Sequence, residues 1–144
     1  MGHGAIPYLR PALHSEHVRV RRTGLDVLVS VVSWTPETLA ELLKLLNDPG
    51  PEVRKAGTYV LGKFPREPNL VIPALERMLV DVSPSVRRQA AFALGRFGPL
   101  ATNSMSALRK ACSDTVPDVR QAAETALIEI RGEITSSKDA DTSR

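Results

Sequence analysis

Apolar and small residues return at helical spacing, face after face, along these 144 residues. Gly57, Val60, Leu61 and Phe64 form one face; Ala90, Ala93, Leu94 and Phe97 repeat it 33 residues later, and Ala123, Ala126, Leu127 and Ile130 repeat it again. Each set predicts an amphipathic helix with one apolar stripe. A second helical pattern precedes each of them: Leu39, Leu42, Leu43 and Leu46, then Ile72, Leu75 and Leu79, then Met105, Leu108 and Cys112. The same phase reaches back to Ile6, Leu9 and Leu13, because IPYL at Ile6–Leu9 stands two periods before IPAL at Ile72–Leu75. The pattern therefore predicts four helix pairs and no strands. VLVSVV at Val27–Val32 is β-branched, yet its register assigns it to a helix, and register outweighs a propensity of about 0.5 kcal/mol per residue.

The polar positions keep the same register. Arg21, Arg54, Arg87 and Arg120 are each 33 residues apart, and the last three close the runs DPGPEVR, DVSPSVR and DTVPDVR. Such self-similarity means that each copy has an apolar face only a neighbouring copy can cover, so the chain is a stacked array. Thr35-Pro36 and the prolines Pro51, Pro84 and Pro117 mark helix starts, where a missing amide hydrogen costs nothing. Gly98, with Pro65 in its place one copy earlier, marks the ends of second helices, and Pro68 and Pro99 stop continuation. Pro11 is expected to interrupt the first helix.

The run D-x-x-P-x-VR-x-x-A-A-x-A-L-G, clearest in Asp81–Gly95, resembles the HEAT-like repeat of the short bacterial, phycobilisome lyase-type class. The resemblance covers the chain to about Ile130 and implies an all-α fold, a right-handed α-solenoid of about four HEAT-like helix pairs. Ankyrin arrays share the period but need T-P-L-H-x-A, and tetratricopeptide arrays need other positions for Trp, Gly, Tyr and Pro; neither pattern is here. The array is expected over residues 1–131, as repeats of about 3–32, 35–65, 68–98 and 100–131, with 132–144 a disordered, polar tail.

Little in the chain points to catalysis. His14 and His17 are three apart but have only Glu16 nearby, and His3 stands alone, so no metal site is expected. Di-iron hydroxylases built on similar repeats use paired His-Glu dipeptides, which are absent. No phosphate loop, nucleophile elbow or other catalytic pair stands out, and no cofactor is expected. Cys112 fills the slot of Leu46 and Leu79, the position of a small buried apolar residue. The chain shows no leader pattern and no run of 18 apolar residues, which reads as a soluble, cytoplasmic protein with no membrane role.

Two sets of residues remain. Asp48, Arg54, Asp81, Arg87, Asp114 and Arg120 are expected to link one inter-helix bend to the next, a task for which the guanidinium fork is suited. Lys55, Tyr59 and Lys63, and one copy later Arg88, Phe92 and Arg96, lie four apart and share one helical face. In related repeats the middle position is usually polar, and second helices line the concave surface. Two rings between four cations therefore suggest a binding centre, although the rings could merely fill the groove between helices. The net charge of +3 is spread along the chain: residues 1–67 carry 9 Lys and Arg against 7 Asp and Glu, and residues 68–131 carry 8 against 6. That is mild for nucleic-acid binding, so a non-catalytic scaffold for a protein or acidic peptide is expected; nucleic acid, or a bilin lyase or chaperone-like role, is the alternative. Ile6, Tyr8, Leu9 and Leu13 near the amino end suggest self-association through the first repeat.

Overall fold

A computed structural model describes residues 5–31 and 34–132. Among these residues all regular structure is helical, and the helices pair as α1 (Ile6–Leu13) with α2 (Val18–Val31), α3 (Pro36–Leu45) with α4 (Pro51–Lys63), α5 (Pro68–Met78) with α6 (Pro84–Arg96), and α7 (Met105–Ala111) with α8 (Pro117–Arg131). The chain is thus an α-solenoid of four helix pairs. Val27–Val31 is helical as the register requires; Val32, His3 and the segment from Glu133 lie outside the described residues.

The starts of the helices follow from local chemistry. Proline stands in the first turn of α3, α4, α5, α6 and α8, and the Thr35 hydroxyl accepts the Thr38 amide at 3.2 Å to cap α3. Gly98 and Gly132 adopt the left-handed backbone that glycine tolerates, with φ of 57° and 76°. Two expectations need correction. Pro11 does not interrupt α1, which runs through it to Leu13; the ring removes one backbone bond, and burial of Ile6 and Leu13 holds the short helix. The fourth pair also begins differently from the others, because Gly98–Ser104 forms a 3-10 turn and leaves α7 only seven residues.

The core is a ladder of equivalent side chains. Leu42, Leu75 and Leu108 stand 33 residues apart and are fully buried, as are Leu28, Leu61 and Leu94 on the second helices. Each contributes about 2 kcal/mol of apolar transfer. Second helices pack on second helices, α2 on α4, α4 on α6 and α6 on α8, whereas first helices approach one another less closely. In a curved stack the tighter layer is the shorter arc, so the second helices form the inner wall. The contact is closest at glycine: a Cβ at Gly62 would lie 2.7 Å from Ala93 Cα, and one at Gly95 would lie 3.1 Å from Ala126 Cα.

Candidate binding surface on the inner wall

Each bend between paired helices is fastened by one device. Arg54 Nε and Nη2 donate to Asp81 Oδ2 and Oδ1 at 2.9 and 3.0 Å, while its Nη1 donates to the carbonyl of Asp48 at 2.8 Å. Arg87 does the same with Asp114 and the Asp81 carbonyl. The second oxygen role of each aspartate is local: Asp48, Asp81 and Asp114 accept the amides of Gly50, Ser83 and Val116 and so fix the bend. Every guanidinium thus ties its own bend to the carboxylate of the next repeat. Arg21 belongs to the series, with a fork on Asp48 at 2.7 and 3.0 Å, although the weak sequence of the first copy hides it. Its place in the 33-residue register was the signal. Arg120 keeps the bond to its own bend, at Asp114 O, but its fork meets no carboxylate among the described residues.

Burial alone would push the Asp81 carboxyl up, but the Arg54 hydrogen bond and the Ser83 amide outweigh it and hold the pKa below the usual carboxylate range. At Asp114 the Arg87 hydrogen bond dominates and gives the same direction.

One buried charge escaped the sequence pattern. Glu41 sits in α3 where the register elsewhere has Ala74 and Ala107, and its side chain is only 2% exposed. Burial raises its pKa, yet Arg10 Nε at 3.0 Å, the nearby Lys44 and His14 Nε2 at 3.2 Å reverse that and leave the carboxyl below its ordinary value. This cluster locks α1 to α3, and it is Glu41, not Glu16, that His14 meets. Among the described residues no group of three or more His, Cys, Asp and Glu is arranged to hold a metal ion. Cys112 is half-buried, and burial, with Glu124 nearby, pushes its thiol up.

The six inner-wall residues stand on two adjacent helices, α4 and α6. Tyr59, Lys63, Phe92 and Arg96 line one depression of about 510 Å³, whose floor is the Gly62–Ala93 contact and whose edge includes Gln89 and Glu129. Lys55 lines a neighbouring depression of about 370 Å³ with Arg22 and Glu52, and Tyr59 and Gln89 border both. Arg88 does not line either; its guanidinium carbon lies 4.8 Å from the centre of the Phe92 ring. Lys63 Nζ lies 5.9 Å from the Tyr59 ring centre and 5.6 Å from that of Phe64. Tyr59 is 50% exposed and Phe92 is half-buried, so the first ring projects and the second forms a wall. A larger depression, about 780 Å³, opens between α5 and α7, but Asp81, Arg87 and Asp114 there are already engaged in the bends. Its polar groups are spent on structure, and the inner wall is the better-equipped surface.

An α-solenoid of stacked helix pairs, joined bend to bend by an Arg–Asp ladder and carrying an equipped inner wall, is the architecture of a repeat scaffold. The model of HEAT repeats matches residues 6–82 and 72–141, and the chain belongs to that family. No curated protein matches it by sequence. Among solved structures, Cex1p superposes with a TM-score of 0.76 at 18% identity, covering 99% of this chain and 30% of that one. A designed armadillo repeat protein in complex with the peptide (KR)4 gives a TM-score of 0.65 at 20% identity, covering 88% of this chain and 64% of that one. An engineered protein, structural genomics target OR329, gives 0.61 at 23%, covering 90% and 63%. The chain spans less than two thirds of the length of each of these structures, and at such identities the likeness is one of fold. No helix among the described residues is long and apolar enough to cross a membrane.

Proposed function

We propose that the protein is a non-catalytic binding scaffold that takes an acidic peptide or an acidic protein segment along its inner wall. The observation that carries this reading is the pair of rings, Tyr59 and Phe92, held between Lys55, Lys63, Arg88 and Arg96 on adjacent second helices. Aromatic rings supply anchor area at little entropic cost, and the cations select a carboxylate-rich partner. The designed armadillo protein is similar in fold and was solved with (KR)4, a basic peptide. With cations on the corresponding layer, the present chain suits the opposite charge. The structural role we give Asp48, Arg54, Asp81, Arg87, Asp114 and Arg120 is to keep successive repeats in register so that this wall stays continuous.

Changing Tyr59 and Phe92 together to Ala is expected to weaken an Asp/Glu-rich peptide by more than about 1 kcal/mol, or roughly fivefold or more. Titration calorimetry with a fluorescent control peptide checks this, and unchanged affinity in a folded double variant refutes the patch. Titrating DNA and RNA at two salt concentrations separates the nucleic-acid alternative, because phosphate contacts lose affinity steeply as salt rises. The finer likeness to lyase-type repeats rests on the Asp81–Gly95 run, and a visible absorption change on adding a bilin would favour that role instead.

A further inference from the structure

Each interior second helix buries one face against the repeat before it. On α4 and α6 that leading face contains Val53 and Val86, which are 0% exposed, with Val60 and Ala93 buried one turn pair further along. The first repeat carries the same face without a cover among the described residues. Val20 stands in the register of Val53 and is 42% exposed; Val27 stands in that of Val60 and is 38% exposed; Val31 follows at 57%. Leu9, Thr23 and the valines form a shallow apolar depression of about 320 Å³ between α1 and α2.

The trailing face of α8 is built otherwise. Glu124 occupies the register of Thr58 and Ala91, which are fully buried, and Ile128 occupies that of Gly62 and Gly95. Close approach of the next helix at those two positions depends on glycine, so an isoleucine shuts it out. The ladder is mismatched as well: Ser15 stands where Asp48, Asp81 and Asp114 stand in later repeats and offers the Arg120 fork of another copy no carboxylate. The trailing face of one copy therefore cannot seat on the leading face of the next, and end-to-end growth is blocked.

We propose that the leading face of α2 is a self-interface, covered by the same face of a second copy about a two-fold axis. The surface is continuous in register with the interfaces that join the four repeats, so it already has the side-chain relief of a helix-packing face. Charge sets the direction. Glu16 and Arg19 flank the amino end of the face, while Val27, Ser30 and Val31 at its carboxy end carry no charge. Antiparallel α2 helices place Arg19 over the uncharged end of the partner, Val20 against Val27 and Thr23 near the axis; parallel helices would set Arg19 against Arg19. The interface does not involve the inner wall and stands or falls independently of it.

Sedimentation velocity on the full chain, from about 1 to about 200 µM to reach the weak end of the interface range, tests this. The expected result is a mass that rises to two chains and no further. Val20→Glu with Val27→Glu is expected to shift the midpoint at least tenfold to higher concentration; both side chains are exposed in the single copy, so helicity should hold. Should that variant lose its circular dichroism signal, Thr23→Cys in a Cys112→Ala background decides, because an axis near Thr23 predicts a disulfide-linked pair on mild oxidation. A mass of one chain throughout, growth beyond two chains, a dimer indifferent to the two glutamates, or no crosslink at position 23 overturns the proposal.

Discussion

Two glycines on one helix predict opposite responses to the same added methyl group. Gly57 and Gly62 are both buried on α4. A Cβ at Gly57 would sit 3.4 Å from Leu46 Cδ2 and 3.8 Å from the Leu42 carbonyl oxygen, which is ordinary contact. Gly57→Ala therefore gains helix propensity of about 1 kcal/mol and a buried methyl group of about 0.8 kcal/mol, and should stabilise the fold by about 1–2 kcal/mol. At Gly62 the same atom would sit 2.7 Å from both Cα and Cβ of Ala93. Backbone cannot swing aside as a side chain can, so α4 and α6 must separate, an overpacking cost of about 1–3 kcal/mol. Gly62 is also the penultimate residue of α4, where the propensity gain is smaller. The two variants should thus differ by about 2–4 kcal/mol, with Gly62→Ala the destabilised one. Urea denaturation followed by helical circular dichroism reads this as midpoints moving in opposite directions at an unchanged slope. If Gly62→Ala stabilises the protein as much as Gly57→Ala does, the close approach of α4 and α6 is refuted, and with it the floor of the inner-wall depression.

Asp81→Ala is expected to cost about 3 kcal/mol, because it strands the nearly buried Arg54 fork and the Ser83 amide together; a shift of less than about 0.5 kcal/mol in urea denaturation would show that the bends do not depend on this bridge. Acid should act through the same groups. The folded pKa values of Asp81, Asp114 and Glu41 lie below their unfolded ones, so their contribution is complete above the ordinary carboxylate value of about 4 and is lost as the pH falls through the folded values. Urea midpoints measured from neutral pH downward should therefore fall through this range, and less steeply in Asp81→Asn; equal slopes in the two proteins would contradict the assignment.

Much of the architecture was legible because a repeat states its own register several times. Arg54, Arg87 and Arg120 announce the period, and the prolines at positions 51, 84 and 117 mark each second helix where it begins. Even the β-branched run at Val27 was correctly helical, since apolar spacing over three clear copies outweighs the local preference of one. Pro11 was misjudged for the converse reason: a rule about one residue ignored what packing of Ile6 and Leu13 could hold together. Glu41 could have been found by asking why Ala74 and Ala107 become a carboxylate in that copy, but the partners that make its burial tolerable, Arg10 and His14, come from another repeat.

By itself the sequence determined the helices, their pairing and the face on which Lys55, Tyr59, Lys63, Arg88, Phe92 and Arg96 would lie, because each of these depends on spacing within one copy. Only the tertiary structure decided how near α4 comes to α6, that Gly62 and Ala93 make the floor between the two rings, and that Val20 is uncovered while Val53, Val86 and Val119 are not. These are properties of pairs of repeats. A periodic pattern repeats its local chemistry faithfully, but the distance between neighbours and the exposure at an end are set jointly by residues that lie 27 to 33 positions apart.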